Sequence, residues 1–227
     1  DGGIETDLTV VCFNKEYFRI ITSAANRERD KFHILKYLSQ DIDFKDVTDE
    51  IACLGLFGPK SEDLLQKLTK DNISRDIIKF ASFKKIQIDN VDIFAQKLSY
   101  VGEYGFELYM DINNSKKIFN LITDNGKEFN LSLCGMHALD TMRMETGFLH
   151  WGHDISPEEN QYQAGLNFAI SFKKNVDFIG KDSLAKIKSK PLDKRMMMFT
   201  LNNNQPGQPL LLHDEPIYLD DKIIGRT

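Results

Sequence analysis

Two strand-like runs, residues 82–88 and 91–98, are separated only by Asp89-Asn90. A two-residue loop of this kind lets both central residues take positive φ and joins antiparallel neighbours, whereas parallel strands need a crossover of about a dozen residues. This part of the chain is therefore committed to locally paired, antiparallel sheet. The pattern recurs: residues 8–13 and 17–22 flank Asn14-Lys15-Glu16, and residues 44–48 and 51–57 flank Asp49-Glu50. Residues 106–110 read as a further strand. Helical spacing lies between these runs. It covers residues 24–38, with Phe32, Leu35 and Leu38 on one face, then a short helix through Leu64, Leu65 and Leu68 after Gly58-Pro59, then 115–123 and 136–146. Hairpins mixed with helices predict an α+β fold, with antiparallel sheets and flanking helices, not a doubly wound parallel sheet.

The texture changes after Trp151. Residues 152–163 are polar and loop-like, and Phe178-Ile179-Gly180 precedes a short helix within 177–187. From Arg195 onward, strand-like pieces at 196–201, 210–212 and 216–219 are broken by Asn202-Asn203-Asn204 and Pro206-Gly207. This predicts a main domain over 1–190 and the start of a small, β-barrel-like C-terminal domain over 191–227. Asp1-Gly2-Gly3 lacks an initiator Met and Gly225-Arg226-Thr227 follows a strand-like stretch, so both ends read as truncated.

Composition narrows the function. With 29 Lys plus Arg against 34 Asp plus Glu, the net charge of −5 leaves no basic surplus for a nucleic-acid backbone. No apolar run reaches the roughly 18 residues of a membrane span, so no membrane partner is expected. Cys12, Cys53 and Cys134 are isolated and odd in number, which fits buried small residues better than a disulfide framework or a CxxC site. A reducing compartment follows, most simply the cytoplasm.

A Gly-x-Gly-x-x-Gly after the first strand is absent, as are Walker loops, Gly-x-Ser-x-Gly and His-Glu-x-x-His. His150 and His153, with Asp154 adjacent, could begin a metal site, but no third and fourth ligand cluster accompanies them, and no metal is expected. Three segments gather chemistry instead: Asp7 after Gly2-Gly3, Tyr100 and Glu107 around the Gly102–Gly105 bend, and Arg143 and Glu145 before Phe148, His150 and Trp151. Each also has a plain reading: Asp7 as a turn-flanking acceptor, Glu107 as the outward half of an alternating strand, Arg143 and Glu145 as a surface pair. The charged run Arg27, Arg29, Lys31 reads as a solvated helix face.

Taken in order, Gly-Gly-x-x-x-Asp-Leu (residues 2–8), Tyr-x-Gly-Glu-x-Gly-Phe-Glu (100–107) and Arg-x-Glu-x-Gly (143–147) resemble the T-protein family of folate-dependent aminomethyltransferases. Residues 54–59 and Asp177-Phe178-Ile179-Gly180-Lys181 match further family segments, so the resemblance spans almost the whole chain. Residues 51–55, 150–157 and 163–166 are more similar to the C-terminal half of sarcosine and dimethylglycine dehydrogenases.

The resemblance implies one-carbon transfer to tetrahydrofolate, giving 5,10-methylene-tetrahydrofolate from a small-molecule donor. Asp7 matches the family carboxylate that stabilises a cationic iminium and assists proton movement at N5 and N10. Glu107 matches the residue that accepts two pterin donors, and Tyr100 the tyrosine that packs on the ligand. Ile21 and Ser23 fall at further folate-binding positions, Ser23 replacing a family asparagine. A family arginine is Leu139 here, which argues against the lipoyl-bound donor of T-proteins. The same resemblance keeps three alternatives open. The chain could be the folate module of an FAD-dependent sarcosine or dimethylglycine dehydrogenase or oxidase, with FAD in an upstream domain or a separate subunit. It could also be a folate-binding protein without turnover, or a folate-dependent demethylase.

Overall fold

The computed structural model describes residues 1–227 except Asn203, Asn204, Pro206 and Leu210. In chain order the elements are β1 (Thr9–Cys12), β2 (Phe18–Ile21), α1 (Arg27–Tyr37), β3 (Ile51–Phe57), α2 (Ser61–Leu68), β4 (Phe83–Ile88), β5 (Val91–Gln96), β6 (Gly105–Asp111), α3 (Ser115–Gly126), α4 (Met136–Thr146), α5 (Lys181–Lys188), β7 (Pro216–Leu219) and β8 (Lys222–Arg226), with short 3-10 turns between them. The fold is α+β with antiparallel sheets, as the hairpin pattern predicts. The chain divides into two compact units, one of Asp1–Leu38 with Leu149–Thr227, the other of Ser39–Phe148.

The contiguous unit is built on a four-stranded antiparallel sheet in the order β3-β6-β5-β4. Asp89 and Asn90 take φ of 48° and 62°, the positive values that a two-residue hairpin requires, and β4 pairs β5 from Ile88↔Val91 outward. Along β6, Phe106, Leu108 and Met110 point into the core, packed with Leu64 and Leu65 of α2 and Ile118 and Ile122 of α3. Fully burying each such side chain contributes roughly 1.5–3 kcal/mol. The intervening residues, Glu107 and Tyr109, therefore emerge on the opposite face of the sheet.

Residues 44–48 do not form the strand that their apolar character predicts. The Asp46 carboxylate accepts from the Thr48 N–H at 3.1 Å and from its hydroxyl at 2.8 Å, which turns the chain into a 3-10 turn at Thr48–Glu50. β3 then pairs with β6, from Ile51↔Asp111 to Phe57↔Gly105.

In the other unit, β1 and β2 form the predicted hairpin, in register from Thr9↔Ile21 to Cys12↔Phe18. The Asn14 side chain accepts from Glu16 N–H at 2.8 Å inside the loop. A small core of Ile4, Ile155 and Ala164, with Trp151 against it, ties the chain's start to its later loops. Gly3 bridges Asn160, and a Cβ there would lie 2.0 Å from the Pro157 carbonyl oxygen, so this close passage admits only glycine. α1 forms as predicted but presents a different face. Phe32 is 73% exposed, while Asp30 is buried.

Two further expectations are corrected. The three cysteines are exposed, not buried, because Cys12 and Cys53 lie on outward faces of strands and Cys134 in a loop. Residues 196–201 form no strand, and Met198 and Phe199 stay about 70% exposed, at 71% and 69%. The breaks at Asn202-Asn203-Asn204 and Pro206-Gly207 and the strand-like 210–212 lie partly outside the described residues. A small two-stranded sheet, β7 with β8, does form near the C-terminus. Among the described residues no helix is long and apolar enough to cross a membrane.

Candidate functional site

Glu107 sits third in the central strand β6, where Gly55 of β3 and Gln96 of β5 are its cross-strand partners. Gly55 has no side chain, and the Phe57 ring covers the place where its Cβ would lie. Two residues on and therefore on the same face, Tyr109 donates its hydroxyl to Glu107 Oε2 at 2.6 Å. Burial raises the Glu107 carboxyl above the ordinary value, and the Tyr109 hydrogen bond partly offsets this. The Tyr109 phenol is itself pushed far up by burial and by the adjacent Cys53 and Glu107. Cys53, paired across from Tyr109, is exposed as a residue, yet the protein around its thiol raises it to about 11, by desolvation first and Glu107 second. The result is a carboxylate held by one strong donor, with its other oxygen available to a ligand that offers N–H groups.

Tyr100 enters the same unit from the bend before β6. Its ring stacks on Phe148, with centroids 6.5 Å apart and planes 13° from parallel. The bend exists because Gly102 takes φ of +79°, and a Cβ there would meet the Thr146 hydroxyl of α4 at 1.9 Å. Arg143 of α4 is 4% exposed and not a surface group: it donates to Asp140 at 2.7 Å and to the Phe148 carbonyl at 3.2 Å, fixing the loop that carries Tyr100's stacking partner. Tyr104, a residue without a role in the sequence reading, donates its hydroxyl to Glu62 and lies between the cations of Arg75 at 4.0 Å and Lys97 at 4.5 Å. Desolvation, ahead of Glu62, pushes its phenol up to about 12.

The other unit holds the remaining predicted residues. Asp7 and Ser23 each lie two residues outside the Thr9↔Ile21 pair, on the two chain segments that leave the open end of the β1–β2 hairpin. Asp7 reaches solvent, yet the protein around its base desolvates the carboxyl and raises its pKa. Ser23 is exposed and its carbonyl closes a 3-10 turn with the Asn26 N–H at 3.0 Å. The sequence reading missed two residues here. Arg29 is not part of a solvated face but bonds Glu5 and Asp30, and Trp151 donates its Nε1–H to the Ile4 carbonyl at 2.8 Å. Tyr100 and Glu107 thus belong to one unit, and Asp7, Ile21 and Ser23 to the other.

The His150 and His153 rings are tilted with centroids 4.3 Å apart, His213 meets His153 edge-on at 5.6 Å, and His213 hydrogen-bonds the His153 carbonyl at 2.9 Å. Among the described residues no group of three or more His, Cys, Asp or Glu side chains is placed to hold a metal. A hollow of about 510 Å³ between residues 161 and 184, lined by Gln161, Ile170, Lys174, Phe178, Ile179 and Leu184 among others, contains none of the predicted site residues.

Comparison with known proteins follows the same residues. The chain is 31% identical over 233 residues to the mitochondrial dimethylglycine dehydrogenase of Homo sapiens, a match covering 100% of the chain and 26% of that protein. It is 34% identical over 227 residues to an aminomethyltransferase of Caldanaerobacter subterraneus subsp. tengcongensis, covering 99% of the chain and 59% of that enzyme. The chain therefore spans about a quarter of one relative and three-fifths of the other. Its fold is similar to the glycine cleavage system aminomethyltransferase T from Bartonella henselae, with a TM-score of 0.69 at 22% identity over 84% of the chain and 51% of that structure. The model of the GCVT N-terminal domain matches residues 1–174, a span that carries Asp7, Tyr100 and Glu107 together, and the chain belongs to that family.

Proposed function

We propose that this protein binds tetrahydrofolate and transfers a one-carbon unit to it, forming 5,10-methylene-tetrahydrofolate. The observation that carries this reading is the Glu107 carboxylate, partly buried on the outer face of β6 and held from one side by Tyr109. A pterin edge offers an amino group and a ring N–H side by side, and a fixed carboxylate accepts both. Tyr100, beside Phe148, supplies a flat apolar surface in the same unit. The residues present therefore fit the pterin. Tetrahydrofolate supplies N5 and N10, the two nitrogens that carry the carbon. Asp7 supplies a carboxylate for the positive charge and a place for the departing protons, and its raised pKa favours that second task. The aminomethyltransferase relatives support transfer as the reaction class.

The test uses N-(hydroxymethyl)glycine, formed from glycine and formaldehyde, as donor. Two C–N bonds form at tetrahydrofolate, the donor's C–N and C–O bonds break, and glycine and water leave, so no oxidant is needed. Glu107→Ala should weaken tetrahydrofolate binding by about 2–4 kcal/mol in calorimetric titration, the cost of removing a paired buried acceptor. Wild-type affinity in that variant would end the pterin assignment. Asp7→Asn should bind tetrahydrofolate within about twofold of wild type and lower turnover by about 10²-fold or more after subtraction of the uncatalysed rate.

A second reading is favoured by the dehydrogenase relative: the same chemistry serving as the folate-handling part of a flavoprotein that oxidises N-methylated glycines. This chain does not fit FAD, having no Gly-x-Gly-x-x-Gly segment and, among the described residues, no parallel βαβ unit, so the flavin would belong to another domain or subunit. In this proposal residues 1–190 are the folate domain and 191–227 a separate β region, and the protein works in the cytoplasm, a reading supported by the isolated cysteines.

A further inference from the structure

Four successive ties hold the chain just ahead of Asp7. Gly3 bridges Asn160, and the Ile4 N–H donates to the Glu159 carbonyl at 2.9 Å. The Ile4 carbonyl accepts from Trp151 Nε1 at 2.8 Å. The Glu5 carbonyl accepts from Arg29 Nη1 at 2.6 Å, and its carboxylate from Arg29 Nη2 at 2.5 Å. The last two ties are joined, because the Arg29 guanidinium lies 4.2 Å over the Trp151 ring. Arg29 is anchored in turn by the buried Asp30, 3.1 Å away, whose other oxygen accepts from Thr22 at the end of β2. One guanidinium therefore connects α1, the β2 end, the Trp151 loop and the segment that leads into Asp7.

We infer that Arg29 is a positioning residue for the Asp7 carboxylate, acting through the Glu5 backbone. The need for such a clamp is visible at Thr6, whose hydroxyl is buried without a partner. A segment free to relax would turn that hydroxyl outward to water, so something else holds it, and Trp151 and Arg29 are side chains bonded to its backbone carbonyls. The fork geometry is specific to arginine. A lysine keeps the charge but cannot reach a carbonyl, a carboxylate and an aromatic face at once. The inference rests on Asp7 being the charge stabiliser of the proposed transfer.

The experiment compares wild type, Arg29→Lys, Asp7→Asn and the double variant, all in the full chain. In R29K, amide exchange at Ile4, whose N–H is bonded to the Glu159 carbonyl, should quicken at least tenfold, and kcat with tetrahydrofolate and N-(hydroxymethyl)glycine should fall at least tenfold, while the tetrahydrofolate Kd stays within twofold. The double variant should be no slower than D7N alone, because Arg29 acts only through Asp7. Wild-type exchange and kcat in R29K would overturn the inference, and so would losses that multiply in the double variant. If R29K does not fold, Trp151→Phe keeps a ring under Arg29, removes only the bond to Ile4, and carries the same outcomes. If wild type itself shows no transfer, the functional reading fails alone, and the exchange rate at Ile4 still decides whether the clamp exists.

Discussion

Glu107 is a carboxyl whose surroundings disfavour its own charge. Its folded pKa lies above the ordinary value, chiefly through burial, so the native state holds that proton more tightly than the unfolded chain does. Stability from this group is therefore greatest below the unfolded carboxyl pKa and is lost as pH rises through the folded one. Glu107→Gln should raise the thermal midpoint at pH 7.5, with the difference from wild type vanishing near pH 4, and it should lose pterin binding, which a calorimetric and a titration series would check together. A midpoint unchanged at pH 7.5 would show that the carboxylate is not strained by its site. Tyr109 was open to the sequence reading, since it stands two residues after Glu107 on the same strand face. Arg29 was not, because a run of alternating charges carries no mark of which member turns inward. That depends on Glu5, 24 residues earlier.

Among the elements, the hairpins were legible and their neighbours were not. The Asp89-Asn90 turn follows from two adjacent residues, and Lys117 of α3 secures it by bonding the Asp89 carbonyl at 2.8 Å. Because Asn90 holds φ of 62°, Asn90→Val should destabilise the protein by about 1–2 kcal/mol, the cost of a β-branched residue in the left-handed region, measured by urea denaturation. An unchanged midpoint would mean the turn relaxes to another type. The partner of β3 could not be read this way: β6 lies about fifty residues further on, and nothing local distinguishes it from the apolar stretch at 44–48. There the deciding group was the Asp46 side chain, which satisfied the Thr48 amide before a strand could. For α1 the apolar spacing pointed outward, because the ion pairs of Asp30 set the helix's inward face instead.

At the scale of the whole molecule, the chain leaves one unit after Leu38 and returns to it at Leu149, so one unit is contiguous and the other is made from both ends. The contiguous unit has its own core between the sheet and α2 and α3. A fragment of residues 39–148 should therefore give a cooperative thermal transition by circular dichroism, whereas 1–38 or 149–227 alone should not, since Gly3, Ile4 and Trp151 bond across that interruption. A fragment 39–148 that melts without cooperativity would show that its core is insufficient. The family match itself crosses both units, so recognition from ordered motifs reached further than any reading of local pattern.

The chain has a single tryptophan, and it is the ring that touches both Ile4 and Arg29. Every photon of indole emission thus comes from the discontinuous unit, beside the segment that presents Asp7. Without any label, a red shift of that emission during denaturation would report the loosening of the small core around Ile4, while the tyrosines on the contiguous sheet follow their own course.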